Sequence, residues 1–236
     1  MISVAMASFN GEKHIKRQIE SILVNLSEQD ELVISDDGST DKTLKIVQSF
    51  EDKRIKIFMN PGKGVNQNFS NALLHCKGDY IFLSDQDDVW YDHKIDKVMN
   101  IFKEGSYLIV EHNAVVTDAE GNILVPSFFE HRRVRSGVVQ NIIRNTYHGC
   151  CMALDATIVN QVVPMPKRGC FHDQWIGIIA DHLGKVFFLD EILMEYKRYK
   201  NNTSSFTQYP FYIQLKNRIL LIVNYLLFKV KVGFRL

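Results

Sequence analysis

The sequence predicts an α/β fold: a mostly parallel central sheet with helices on both faces, followed by an apolar, basic helical tail. Three observations predict it. Over residues 1–105, short apolar runs alternate with segments of helical period, the pattern of a parallel sheet wound with helices. Two of those runs end abruptly in carboxylates, at Asp36-Asp37 and at Asp85-Gln86-Asp87-Asp88. After Glu195 there is no Asp or Glu, while Lys197, Arg198, Lys200, Lys216, Arg218, Lys229, Lys231 and Arg235 follow.

Taken in order, residues 2–7 read as a strand, Ser8 to Glu12 as the turn after it, and 14–25 as a helix on the spacing of Ile15, Ile19, Ile22 and Leu23. Residues 31–35 are a second strand. A helix follows, capped by Ser39 or Thr40 and running to Phe50. Residues 54–59 are a third strand, 66–76 a helix, and 80–84 the fourth strand. A helix is expected after Trp90 to about Lys103, a strand over 107–116, and a hairpin-type turn at Asp118-Ala119-Glu120-Gly121-Asn122. The segment 126–145 is irregular and carries Arg132, Arg133, Arg135 and Arg144. Further strands are expected at 147–154, 185–189 and 194–199, a helix at 173–182, and a polar loop at 201–208.

With 236 residues, 46% hydrophobic and 23% charged, the chain suits one large globular domain or two small ones. The net charge of +1 conceals an acidic body and a basic tail. The acidic body speaks against nucleic-acid binding, and the tail suggests an anionic partner such as a membrane surface. Cys76, Cys150, Cys151 and Cys170 show no CxxC spacing, so zinc is not expected. The first residues read as a strand rather than a secretory signal, which makes a reducing cytoplasm the expected compartment.

The run 80–84 delivers three carboxylates to a strand end, the place where open α/β sheets bind ligands. Carboxylates so crowded repel one another unless a cation or donors sit among them. Oxygen ligands of this kind suit Mg²⁺ or Mn²⁺, which bridge to substrate phosphates. The plain alternative is a solvated turn, with Asp88 or Asp92 capping the next helix. Asp36-Asp37 falls on the same expected edge. A carboxylate there can accept from a base N–H or from ribose hydroxyls, and Gly38 permits close approach. Phe9 and Asn10 at the first strand end can pack on and hydrogen-bond a base; Phe9 alone also fits a core.

The order of these blocks carries a resemblance. Ala7-Ser8-Phe9-Asn10-Gly11-Glu12 is followed by Asp36-Asp37-Gly38-Ser39-Thr40-Asp41 and Asp85-Gln86-Asp87-Asp88-Val89-Trp90. Gly149-Cys150-Cys151-Met152, His172-Asp173-Gln174-Trp175 and residues 196–202 come after. Together they resemble family 2 of the inverting glycosyltransferases, with the GT-A (Rossmann-like) fold, and in particular its bacterial rhamnosyltransferase-like branch. The resemblance covers roughly residues 1–205. It implies a nucleotide-sugar-binding half at 1–105 and an acceptor-binding half at 106–205; residues 206–236, beyond it, read from their charge and apolarity as an amphipathic membrane-associating tail.

The resemblance further implies a role for each matching residue. Ala7, Phe9, Asn10 and Glu12 line the nucleotide pocket, and Asp36 and Asp37 hold base and ribose. Asp85, Gln86 and Asp88 meet the donor. Asp85 and Asp87 form the DxD pair, with Asp87 the direct ligand of Mn²⁺ or Mg²⁺. Asp173 matches the catalytic base, its plain alternative being a helix N-cap. His172, Trp175, Gly149 and Cys150 shape the acceptor site. The implied reaction is metal-assisted transfer of a sugar, with inversion, from UDP-galactose, UDP-glucose or dTDP-rhamnose. The acceptor is a sugar hydroxyl of a surface polysaccharide or lipid-linked oligosaccharide, at the cytoplasmic face of a membrane. One departure stands out. Relatives often place a histidine where this chain has Tyr199, and a neutral phenol is a poor ligand for these metals. The metal would then rely on Asp87, the diphosphate and water, with Arg198 or Lys200 neutralising phosphate charge.

Such chemistry needs these parts whatever the family. The leaving diphosphate gains negative charge that a cation can meet, and the acceptor hydroxyl must lose its proton to a carboxylate during attack. Two other readings compete. Asp85-Gln86-Asp87-Asp88-Val89 also fits the nucleophile loop of haloacid-dehalogenase-type phosphatases, although there it follows the first strand and here three strands precede it. A non-catalytic sugar-nucleotide-binding scaffold is the other, suggested by Tyr199. No G-x-G-x-x-G follows residues 2–7, which speaks against a dinucleotide oxidoreductase. In the tail, the apolar run 219–228 is broken only by Asn224. It is shorter than the roughly 20 residues that span a bilayer, so an interfacial helix is expected, with packing on the core as the alternative. Homodimerisation stays open.

Overall fold

The computed structural model of the protein describes residues 1–199 and 210–233. The polar loop expected at 201–208 and the side chain of Lys200 lie outside these residues. The first half repeats a strand–helix unit: β1 (Ile2–Ser8), α1 (Ile15–Leu23), β2 (Glu31–Asp36), α2 (Thr43–Gln48), β3 (Ile55–Met59), α3 (Val65–His75) and β4 (Tyr80–Ser84). The second half is less regular: β5 (Val89–Trp90), α4 (Lys94–Glu104), β6 (Ile109–Thr117), β7 (Ile123–Val125), α5 (Phe128–Arg132), α6 (Val138–Ile143), β8 (Met152–Asp155), α7 (Val159–Val162), α8 (His172–Leu183), β9 (Val186–Lys197) and α9 (Phe211–Gly233).

All nine strands join one sheet in the order β3-β2-β1-β4-β8-β6-β9-β5, with β7 paired to β6. From β3 to β4 every pairing is parallel. Beyond β4 the sheet is mixed: β8 runs antiparallel to β4 and β6, and β9 lies parallel to β6 but antiparallel to β5. The central strands are buried on both faces, so they read as continuous apolar runs. Alternate residues still part ways. Val4, Met6 and Phe82 join one core with α1 and α4; Ala5, Ile81 and Leu83 join another with α3, α8 and α9. The parallel register sets Ser8 opposite Asp36 and Met6 opposite Ser84, which brings three strand ends to one edge.

Several boundaries differ from expectation. Helix α2 starts at Thr43, not at Ser39 or Thr40, because Asp41 Oδ1 accepts from the Thr43 N–H at 2.9 Å while Ser39 is engaged by Asp36. The strand expected over 147–154 opens as a tight 3-10 turn, Gly149–Cys151, and becomes strand only at Met152. The two strands expected at 185–189 and 194–199 are one strand, β9, interrupted by register shifts against β6. Neither Asp88 nor Asp92 caps the helix after Trp90: His93 occupies that position in a left-handed conformation, φ 64°.

Helix α9 packs one face on the body. Leu221 and Phe228 are buried, the Phe228 ring stands edge-on to Trp175, and Tyr225 Oη lies 2.8 Å from His182 Nδ1. Gly169 lets the helix in, since a Cβ there would sit 2.7 Å from Leu220 Cβ. The opposite face leaves Ile219, Val223, Leu226, Leu227 and Val230 exposed. No described helix is long and apolar enough to cross a membrane.

Candidate active site

The edge where β1, β2 and β4 end is closed by side chain to backbone hydrogen bonds between loops. Phe9 N–H donates to Gln86 Oε1 at 2.9 Å, and Gln86 Nε2 donates back to Phe9 O at 3.0 Å. Only glycine fits beside that clasp, because a Cβ on Gly11 would lie 2.2 Å from Gln86 Oε1. Asn10, at φ 48°, donates its N–H to Ser39 Oγ and accepts from Thr40 N–H at 2.9 Å. Glu12 Oε2 accepts from Lys42 N–H at 3.0 Å, so its carboxylate serves the loop. Ala7 is half-buried within β1, and Phe9 is 52% exposed, its ring open to solvent at the edge.

The paired aspartates divide. Asp36 is fully buried, and its carboxylate accepts from Ser8 Oγ, Gly38 N–H, Ser39 N–H and Ser39 Oγ at 2.7 to 3.0 Å. These bonds commit Asp36 to shaping the turn. Asp37 stays half-exposed, held by Asn60 Nδ2 at 2.6 Å and Gly64 N–H at 2.9 Å. Gly38, at φ 85°, provides the left-handed turn that follows.

Next to this edge the carboxylates of the fourth strand end crowd together. Burial, then the charges of Asp87 and Asp173, push Asp85 up to about 7. Burial pushes Asp87 up to about 6, against the pull of Arg198 and Arg17. Asp88 is raised by burial and by Asp87 and Asp85; its Oδ1 accepts from Lys197 N–H at 3.1 Å, and its buried Oδ2 has no hydrogen-bond partner among the described residues. Asp85, Asp88 and Cys150 offer ligand atoms within 4.8 Å of one another. Oxygens from carboxylates with raised pKa values, one of them orphaned, fit a hard divalent cation. The thiol of Cys150, pushed far up by burial, does not. The converging oxygens are those of Asp85 and Asp88; of the two metal ligands expected from the sequence, Asp85 belongs to this group, and Asp87 lies beside it in the chain.

Asp173 lies in the first turn of α8, whose N-cap is Phe171, so it is not the cap. Its Oδ1 accepts from Gln174 N–H at 2.6 Å. Burial pushes it up to about 6, opposed by hydrogen bonds from Gln174 and Asn145 and by the Arg132 charge. Its charge adds to the upward push on Asp85. His172 is buried, stacked on Phe69 at 3.9 Å, with both ring nitrogens unpartnered among the described residues and its pKa lowered to about 3 by burial. Gly149 makes room for it: a Cβ there would lie 2.2 Å from His172 Nε2. The other two residues expected at the acceptor side are buried as well: Trp175 donates its Nε1–H to Val162 O at 3.0 Å, and the Cys150 sulfur lies within 4.8 Å of ligand oxygens of Asp85 and Asp88.

The structure also adds residues that sequence reasoning left out. Lys94 is fully buried, with Nζ 3.2 Å from Cys150 O and 3.8 Å from the Trp90 ring centroid; burial lowers it to about 8. Glu111 is buried in β6, raised by burial, with Oε1 accepting from His148 N–H at 3.1 Å. A carboxylate in the middle of an apolar run is a readable signal, and so is a lysine four residues after a buried tryptophan.

Comparison with known proteins agrees with this geometry. The family model "Glycosyl transferase family 2" matches residues 3–163. The chain is 26% identical over 215 residues to the UDP-Glc:alpha-D-GlcNAc-diphosphoundecaprenol beta-1,3-glucosyltransferase WfgD of Escherichia coli, covering 87% of this chain and 80% of that protein. It is 27% identical over 212 residues to the putative teichuronic acid biosynthesis glycosyltransferase TuaG of Bacillus subtilis, covering 87% and 82%. In fold it is similar to S. aureus TarS 1–349 in complex with UDP-GlcNAc, with a TM-score of 0.73 at 17% identity, covering 94% of this chain and 66% of that one.

Proposed function

The chain belongs to glycosyl transferase family 2, and from that premise we propose that it is an inverting enzyme using a nucleoside-diphosphate hexose, with Asp173 as general base. As a member it is a glycosyltransferase of GT-A fold, which sets aside the phosphatase reading. UDP-glucose, UDP-galactose and dTDP-rhamnose are the proposed donors; WfgD, with its UDP-Glc donor, favours a uridine nucleotide. The proposed acceptor is a sugar hydroxyl on a lipid-linked or polysaccharide chain, a reading supported by the diphosphoundecaprenol substrate of WfgD and the teichuronic acid assignment of TuaG.

The observation that carries the mechanism is the meeting of two acid groups at one edge: the cluster Asp85, Asp87 and Asp88, and Asp173, whose charge acts on Asp85. Phe9 offers its exposed face to the base, and Asp37 offers carboxylate oxygens to base or ribose. Asp85, Asp87 and Asp88 would hold Mn²⁺ or Mg²⁺, which supplies Lewis-acid charge for the diphosphate. Asp173, raised to about 6, is ionised at neutral pH yet basic enough to take the acceptor proton at its carboxylate as the new C–O bond forms. The exposed apolar face of α9, flanked by Lys216, Lys229 and Lys231, suits the inner surface of an anionic membrane.

A donor screen tests the reading. Purified protein is incubated with UDP-glucose, UDP-galactose and dTDP-rhamnose, with GlcNAc-diphosphoundecaprenol, and with Mn²⁺ or EDTA. Transfer from one donor, with inversion at the anomeric carbon and loss of rate in EDTA, is expected. A product that retains the donor's anomeric configuration would overturn the single-displacement mechanism.

A further inference from the structure

Arg17 projects from the exposed side of α1, yet its guanidinium is tied to a distant part of the chain. Nη2 donates to Tyr199 Oη, a contact between residues 182 positions apart. Tyr199 in turn stacks on His14, with ring centroids 3.9 Å apart and planes 22° from parallel. This assembly is joined to the carboxylate loop from both directions. Two residues before Tyr199, Lys197 N–H donates to Asp88 Oδ1 at 3.1 Å. One residue after Arg17, Gln18 Nε2 donates to Ser84 Oγ at 2.8 Å, and Ser84 immediately precedes Asp85. Among the described residues no carboxylate lies within ion-pair distance of Arg17, so its charge is not consumed by a salt bridge. That charge reaches Asp87 and, with Arg198, opposes the upward push of burial there.

A guanidinium carries five donors in a planar fork, and the phenol of Tyr199 uses one. The remaining donors match the paired oxygens of a phosphate. We propose that Arg17, held in place by Tyr199, is a diphosphate-binding residue that takes part of the leaving-group charge in this enzyme. The inference rests on the nucleotide-sugar reading above. In the transfer step the acceptor oxygen bonds to the anomeric carbon and the bond from that carbon to the β-phosphate oxygen breaks. Its electron pair passes to the phosphate, and the acceptor proton goes to Asp173. Arg17 meets the charge that arrives on the diphosphate, at the corner of the site where Tyr199 supplies no metal ligand. Tyr199 is the positioning residue: it holds the long arginine side chain and so lowers the entropy lost on binding.

The test is calorimetric binding of UDP and of dTDP to the full chain, in Mn²⁺ and in EDTA. Wild type, Arg17→Ala, Arg17→Lys and Tyr199→Phe are compared. Arg17→Ala should weaken nucleotide binding by about tenfold in EDTA, and by less when Mn²⁺ shares the charge. Arg17→Lys should recover part of the loss, and Tyr199→Phe should fall between wild type and Arg17→Ala. In turnover, Arg17→Ala should lower kcat on the order of 100-fold, as for loss of a donor to a developing charge. Arg17 is exposed, so its variants should keep the wild-type thermal midpoint, and Arg17→Lys serves as the check on packing. Equal binding by wild type and Arg17→Ala wherever wild type binds overturns the inference while leaving the donor reading intact. A wild type that binds neither nucleotide in either condition overturns both.

Discussion

The proposed donor side and the proposed acceptor side of this site treat their polar groups differently. In the loops after β1, β2 and β4, Asn10, Glu12, Asp41 and Gln86, with Asp36 at the end of β2, are bonded to backbone or side chains. Across the site, Glu111 Oε2, His148 Nε2 and both nitrogens of His172 are buried with no hydrogen-bond partner among the described residues. Each such group costs about 1–3 kcal/mol. The donor edge is therefore fixed before any ligand arrives. The acceptor side carries a stability cost and keeps hydrogen-bonding capacity unspent. The lesson is that preorganisation is local: one edge is closed by hydrogen bonds between loops, and the other side keeps buried polar atoms that have no partner among the described residues.

The largest expected effect falls where the two sides meet. Asp173→Asn should cut transfer on the order of 10³-fold, because a carboxamide cannot take the acceptor proton. Donor binding should change less than about twofold, since the donor edge does not depend on it. A base acts only when deprotonated, and Asp173 is raised to about 6. Wild-type kcat/KM should therefore fall as pH drops through about 6, reach a plateau above it, and lose that limb in Asp173→Asn. Initial rates from pH 5 to 8 check this; a variant that keeps a tenth of the activity removes Asp173 as base.

A smaller effect separates the two aspartates within the donor edge. Asp36→Asn replaces an oxygen that accepts hydrogen bonds with a donor facing donors, so stability should drop by about 2–3 kcal/mol in urea unfolding. Asp37→Asn should leave stability within about 0.5 kcal/mol and raise the donor KM by about tenfold. If Asp36→Asn is as stable as wild type while its KM rises, the division into a shaping and a binding aspartate is reversed.

How much of this could be read in advance follows from the same contrast. The strand–helix alternation of the first half was legible because parallel strands buried on both faces are uniform apolar runs, and their ends at Asp36 and Ser84 align in register. That Asp36 would turn inward was not legible, because an Asx turn and a ligand site share the same residue types. The second half resisted because its order is set by long-range pairing: β8 leaves a 3-10 turn to lie between β4 and β6, and β9 holds its path through register shifts. Local propensity is silent about such partners.

The smallest expected effect tests which side the tail serves. Helix α9 packs on the second half of the chain, the proposed acceptor side, through Phe228 on Trp175 and Arg218 Nε on Ile143 O at 3.1 Å. Its two faces should then respond differently. Phe228→Ala removes a buried ring and should cost about 3 kcal/mol of stability. Leu226→Gln with Leu227→Gln changes only exposed side chains, so the thermal midpoint should hold. If that face meets lipid, the double variant forfeits burial worth about 1.5–3 kcal/mol per leucine at full depth. Cosedimentation with phosphatidylglycerol vesicles should therefore weaken by about tenfold or more, most visibly at high salt, where the flanking lysines are screened and no longer hold the variant. Equal sedimentation of the double variant would mean that α9 is held by the protein alone. Its exposed leucines would then have no part in bringing the acceptor side to a membrane.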